Sequence, residues 1–365
     1  MAYLNYDEIV SAVQILSEKY PTLTTQIPLP KLTVESRRVG ALAIGKTRGP
    51  DQRTAVFVGG VHAREWVPPD ALISLAADLL EAYSSGTGLR YGSSYFDKST
   101  IASIVDRIQI VVLPCANPDG RVFSQNVDGD WRKNRRPMVN QQGGVCHGVD
   151  INRNFDVAWD FRLHFAPGGV SASDDPCHKY LYVGPAAASE SETRNIVWLL
   201  DSVPGIGWFV DVHSAIPAVF HSWGLDSNQT TAPEQNFLNP AFDGIRGNPD
   251  DSYGEFITEV DLNVVRSLAR AMKDAITLVA GDDYSVGPAF ELYATSGASD
   301  DYAYSRHLAR PGLPKVLGFT MECGYEFQPD DSGRETTIKE VCAALLAFCA
   351  EVNSPGYSQL RKNTE

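Results

Sequence analysis

The sequence predicts an α/β fold: a single domain built on a mixed, mostly parallel, twisted β-sheet with helices on both faces. Three observations lead there. Short, nearly all-apolar runs alternate with amphipathic stretches along the chain, as strands buried on both faces alternate with covering helices. No repeat, low-complexity tract or Pro/Ser linker interrupts the chain, so residues 1–365 read as one domain. The composition, 43% hydrophobic and 21% charged, suits a globular chain able to bury a large core.

Residues 6–19 read as a helix, because Ile9, Val13 and Leu16 recur at helical spacing and Pro21 follows. Residues 39–44 and 55–61 read as strands, the second (AVFVGGV) apolar throughout. A helix over 68–83 starts on Pro68, where a missing N–H costs nothing. The run IQIVVL at 108–113 is another buried strand. A helix is expected over 192–200, a strand over 208–212, and a long helix over 260–279. A strand over 316–321 and a closing helix over 337–349 complete the pattern.

With 31 Lys+Arg against 45 Asp+Glu the formal charge is −14, which argues against a nucleic-acid backbone or an anionic membrane as partner. No apolar run approaches the ~18 residues of a membrane span. Residues 1–10 (MAYLNYDEIV) carry neither a basic n-region nor a long apolar stretch, so no signal peptide is visible. Six cysteines are too few for a disulfide scaffold but leave room for one or two bridges. A monomer is expected.

In α/β sheets ligands bind beyond the carboxyl ends of the strands. Four residues that follow apolar runs there carry chemistry: His62, Asn117, His213 and Glu322. His62 and Glu65, three apart in one turn, can face one metal ion, although a surface ion pair has the same spacing. With His213 they would make a two-His, one-Glu set, a known catalytic zinc arrangement with a fourth position left for water. None of the seven histidines is followed by Glu, so the helical H-E-x-x-H motif is absent. Glu322, at the end of an apolar run, is either a buried ion-pair partner or a general base. The basic words WRKNRR (131–136) and DINRN (150–154) are either solvated loops or arginines converging on a carboxylate, for which the guanidinium fork is suited.

Taken in order, His62-x-x-Glu65, Asn152-Arg153, His213-Ser214, Tyr293 and Glu322 resemble the zinc metallocarboxypeptidases of the A/B type. The flanking words His-Ala-Arg-Glu-Trp, Asn-Pro-Asp-Gly, Trp-Arg-Lys and Asp-x-Asn-Arg-Asn belong to the same resemblance, which runs from about Tyr6 to the closing helix. It implies one Zn2+ held by His62, Glu65 and His213, with Asp150 orienting His62. It implies Glu322 as general base and Arg132 as the group that polarises the scissile carbonyl. Asn152, Arg153 and Tyr293 become the clamp on a substrate's terminal carboxylate, and Arg64 and Ser214 join the substrate groove. Cys146 and Cys177 fall where the family has a disulfide; Cys115, Cys323, Cys342 and Cys349 are expected as buried thiols. The expected substrate is a peptide or protein C-terminus, and no pro-domain is expected within the chain. The cysteine pair favours a secreted mature form.

The family's pocket-floor position falls on Asp300, which implies a preference for C-terminal Lys or Arg. Alternatively Asp300 pairs with an internal Arg such as Arg306, or faces water. Glu291 either adds a second negative charge or sits on the surface. Gly224 falls where basic-specific members tend to carry Ser, Ala215 where many have Tyr, and Cys323-Gly324 where an apolar residue and Arg are common. Mixed specificity therefore stays open, as do two other functions: a related amidohydrolase acting on peptidoglycan stem peptides or glutamylated tails, and a non-catalytic zinc protein that holds peptide C-termini.

Overall fold

The computed structural model describes residues 3–46, 52–140, 142–249, 251–354 and 357. Helix α1 (Tyr6–Lys19) is opened by a reciprocal pair of bonds between Asn5 and Glu8, which satisfies two amides left free at a helix start. It buries Ile9, Val13 and Leu16, the face read from the sequence. Strands β1 (Thr24–Pro28), β2 (Gly40–Ile44) and β3 (Arg53–Gly59) precede helix α2 (Val67–Ser85). Helix α3 (Lys98–Arg107), capped by Asp97, leads directly into β4 (Ile108–Leu113), whose six residues are all buried. Helix α4 (Pro118–Asn126) and helix α5 (Ser191–Ser202) precede β5 (Ile206–His213) and the short β6 (Ala218–His221). The long helix α6 (Glu259–Ala280), β7 (Ser285–Pro288), helix α7 (Ser299–Ala309), β8 (Leu317–Glu322) and helix α8 (Asp331–Val352) complete the main layers.

The main sheet has eight strands in the order β1-β2-β4-β3-β5-β8-β6-β7. The central run β4-β3-β5-β8 is parallel, and β6–β7 is parallel too; β1–β2, β2–β4 and β8–β6 are antiparallel. The expectation of a mixed, mostly parallel sheet therefore holds. Register matters for the site. Gly59 at the end of β3 lies beside Val212, and His213 lies beside Glu322 on β8, so three neighbouring strands end together at one sheet edge.

Adjacent strand residues face opposite sides of a sheet, and β8 uses both. The Phe319 ring meets Phe348 of α8 edge-on at 5.4 Å. On the other side Gly318 lies against α7: a Cβ there would stand 2.0 Å from the Asp300 carbonyl oxygen, so only glycine permits the approach. That closeness brings Asp300, in the first turn of α7, down onto the sheet. Among the described residues no helix is long and apolar enough to cross a membrane.

Candidate metal centre

The chain leaves β3 through Gly60, whose φ of +65° suits glycine and turns His62 back over the sheet edge. Two ties fix the turn. Asn117 donates its side-chain amide to the carbonyls of Val61 and Lys133, each at 3.1 Å, and the Ala63 amide donates to the Arg132 carbonyl at 2.9 Å. Asn117 is thus the brace that locks the His62 turn to the loop carrying Arg132.

His62, Glu65 and His213 are buried and converge. Nδ1 of His62 and Nδ1 of His213 lie 2.9 Å apart. Glu65 spans both, with Oε1 2.7 Å from His62 Nδ1 and Oε2 2.9 Å from His213 Nδ1. Two imidazole lone pairs and a carboxylate meeting at one buried point make the donor set of a catalytic zinc site, so the residues present fit that ion. The far side of each ring faces a carboxylate. His62 Nε2 is 3.3 Å from Asp150 Oδ1, and His213 Nε2 is 3.1 Å from Asp211 Oδ2. Carboxylates so placed stand behind the ring nitrogens that face away from the shared point, which leaves Nδ1 of each ring to ligate. Asp211, wholly buried, also accepts from the Ser299 hydroxyl at 2.6 Å. Burial disfavours the ionised Glu65 carboxyl, but the two histidines outweigh it and hold its pKa well below the usual range.

Asp150 reaches Arg132 as well: Nε and Nη2 both lie 3.0 Å from its Oδ2, while Nη1 comes within 3.2 Å of His62 Nδ1. Burial opposes the charged form of Asp150 too, but Arg132, His62 and Arg153 together more than offset it, leaving the pKa far below normal. Glu322 ends β8 beside His213, with its Oε2 enclosed and without a hydrogen-bond partner. Burial, reinforced by the nearby Glu65, pushes its pKa up to about 7. A carboxylate poised there can take and return a proton near neutral pH.

A cavity of about 40 Å³ opens beside these groups. On one side stand Asn152, Arg153 and Tyr293. Arg153 uses Nε on the Ser171 carbonyl and Nη1 on the Asn152 carbonyl, which leaves a buried Nη2 unpaired. Its guanidinium carbon is 5.8 Å from the Tyr293 ring centre, and Tyr293 is 40% exposed. Asp300, Thr295 and Thr320 line the same cavity, with Phe220 and Leu292 as apolar walls. Asp300 is buried with Oδ2 unpaired, and burial raises its pKa. Arg306 pairs instead with Asp201, so the internal partner considered for Asp300 is otherwise engaged. Glu291 is exposed and does not line this cavity.

Two groove candidates sit differently from the rest. Arg64 is held by Asp130 at 2.9 Å and stacked over Phe327 and Tyr180, outside the cavity lining. Ser214 donates its amide to Glu65 Oε2 at 3.2 Å, supporting that carboxylate from behind. Cys146 and Cys177 form a disulfide, and Cys115, Cys323, Cys342 and Cys349 are buried free thiols. Sequence reasoning passed over Asp211 and Thr295. The only signal for Asp211 was a charged residue inside the apolar run WFVDV.

A His-Glu-His point at the carboxyl edge of a parallel strand run, beside an enclosed carboxylate and an arginine, defines a metallohydrolase centre. The chain belongs to the zinc carboxypeptidase family, whose model matches residues 9–344. Its metal is accordingly a single Zn2+. It is 29% identical over 304 residues to carboxypeptidase B of Astacus astacus, covering 83% of this chain and 82% of that protein. It is 32% identical to the mast cell carboxypeptidase A of Rattus norvegicus over 83% of this chain, but spans only 60% of that relative's length. The fold is similar to crystal structures of the thrombin activatable fibrinolysis inhibitor (TM-score 0.72, 21% identity, 96% of this chain and 74% of that one) and of carboxypeptidase A from Helicoverpa armigera (TM-score 0.69, 22% identity, 96% and 75%).

Proposed function

We propose that this chain is a zinc-dependent exopeptidase that removes single C-terminal residues from peptides and proteins, with a preference for Lys and Arg. The observation that carries the catalytic part is the convergence of His62, Glu65 and His213 on one buried point next to the unpaired Oε2 of Glu322. The basic preference rests on the buried Asp300, whose Oδ2 has no partner, in a cavity where Phe220 and Leu292 offer apolar wall for a side-chain stem. The relatives bear both A-type and B-type names, so the pocket itself supplies that argument.

Bound at the His-Glu-His point, zinc supplies Lewis acidity, polarising a carbonyl and acidifying water. The protein's own groups do the rest. The free Nη2 of Arg153, with Asn152 and Tyr293, holds the substrate's terminal carboxylate and sets the last peptide bond over the centre, which supplies the orientation part of the rate. Arg132, kept charged by Asp150, stabilises negative charge developing on the scissile carbonyl oxygen. Glu322 accepts the proton of the attacking water and passes it to the leaving amine. The aliphatic stem of a terminal Lys or Arg packs on Phe220 and Leu292 while its cation meets Asp300.

The test is a panel of short peptides ending in Lys, Arg, Phe, Leu or Glu, read by mass spectrometry with chelator and with zinc restored. Loss of one residue, zinc dependence, and fastest turnover of Lys or Arg peptides are expected. Faster turnover of Phe or Leu peptides would remove the basic preference; cleavage indifferent to chelator would remove the metal chemistry. Asp300→Asn should lower kcat/KM on Lys and Arg peptides by about a hundredfold or more, the usual scale for stranding a buried charge.

A further inference from the structure

Asp300 is not the only unanswered group in the cavity. The Thr295 hydroxyl is buried, lines the same pocket and has no hydrogen-bond partner. Its backbone is pinned, since the Thr295 amide donates to the Gly224 carbonyl at 2.7 Å. A Cβ placed on Gly224 would meet Thr295 Oγ1 at 2.4 Å, so residue 224 has no side chain because the hydroxyl of 295 fills that volume. The neighbouring acid is spent: Asp301 accepts from the Gly224 amide with both oxygens, at 3.0 and 2.9 Å. Of the Asp300 carboxylate, Oδ2 is buried and has no hydrogen-bond partner, which makes it an open acceptor.

We propose that Thr295 is a specificity-determining residue that works with Asp300 as a two-acceptor site matched to the ammonium of a C-terminal lysine. This rests on the basic-preference reading above. Buried polar atoms without partners are rare, because each loses its water without compensation. Here two of them, one hydroxyl and one carboxylate oxygen, line one narrow cavity. A lysine ammonium is a compact charge with three donors and can answer both. A guanidinium binds best when it grips both oxygens of one carboxylate, whereas the open acceptors here are one hydroxyl and one carboxylate oxygen. The site therefore ranks Lys above Arg, and both above an apolar residue, which would leave both acceptors unanswered.

The test compares wild type, T295V and T295S, all zinc-loaded, on matched peptides ending in Lys, Arg or Leu. Valine keeps the shape of threonine and removes the hydroxyl; serine keeps the hydroxyl and loses a methyl. Wild type should favour Lys over Arg. T295V should lower the Lys-to-Leu ratio of kcat/KM by about tenfold or more, the scale of one hydrogen bond to a charged group, and T295S should hold that ratio within about threefold of wild type. A T295V ratio within twofold of wild type, or parallel losses on all three peptides, overturns the role of Thr295 while leaving the basic preference standing. A wild type that favours Arg over Lys overturns the ammonium match. A wild type that favours Leu over both basic residues sinks the basic preference itself, before any variant is read.

Discussion

Replacing Asp211 should loosen zinc without touching a ligand. Its Oδ2 lies 3.1 Å from His213 Nε2 and 2.6 Å from the Ser299 hydroxyl, so the carboxylate backs the ring on the side away from the metal point and favours a proton on Nε2. His213 then presents Nδ1 to the shared point, 2.9 Å from Glu65 Oε2. Removing a partner of this kind costs about 10–100-fold in metal affinity, or ~1.4–2.8 kcal/mol. Asp211→Asn keeps the shape and one acceptor oxygen but loses the charge, and belongs near the lower end. Asp211→Leu removes both contacts and belongs near the upper end. The assay is competition for zinc against a chelating dye at fixed pH, which reads affinity independently of turnover. A dissociation constant within twofold of wild type for both variants would refute the reasoning, because the ring would then need no support from behind.

Glu322→Gln should leave zinc stoichiometry at one while lowering kcat by at least about a thousandfold, since an amide cannot accept the proton; near-normal turnover would take the base role from Glu322. Burial and the nearby Glu65 raise the pKa of Glu322 to about 7 in the metal-free protein, and a Zn2+ held by Glu65 lowers it, so the acid limb of the kcat/KM profile should lie below neutrality, with activity rising with pH as the carboxyl ionises; a limb above pH 7 would count against this. Stability should move the other way. Glu340, on α8 against Tyr284 and Asp282, is raised to about 8, and Glu192 and Glu255 to about 7, in each case first by burial. Their folded pKa values lie above the unfolded value of about 4.3, so their contribution is complete below that pH and is lost as pH rises through 7 to 8. The urea midpoint of wild type should therefore fall between about pH 5.5 and 8.5, and Glu340→Gln should flatten that fall; an unchanged slope would count against the raised value.

The long layers were legible because their residues repeat with a clear period. The apolar strands over 55–61 and 108–113 and the helix with Ile9, Val13 and Leu16 need nothing but burial to specify them. The sheet margins were not legible. Strand β6 has four residues, β7 contains a Gly and a Pro, and β1 buries one residue of five, too little pattern in each case. Helix α7 was hidden for a different reason: its first turn buries Ser299, Asp300 and Asp301 in the site, which erases the apolar stripe a helix normally shows. The metal-facing residues could be found because His62 and His213 each follow an apolar run, where strand ends collect ligands, and Glu65 stands three residues beyond His62. Asp211 and Thr295 could not, because their meaning depends on which atoms lie across from them: Nε2 of His213 for one, the bare backbone of Gly224 for the other.

The most direct measurement is anomalous X-ray diffraction at the zinc edge from crystals of the zinc-loaded protein. One peak should appear about 2.0–2.3 Å from Nδ1 of His62, Nδ1 of His213 and a carboxylate oxygen of Glu65. A protein that binds zinc one to one yet shows its peak away from these three side chains would contradict the account.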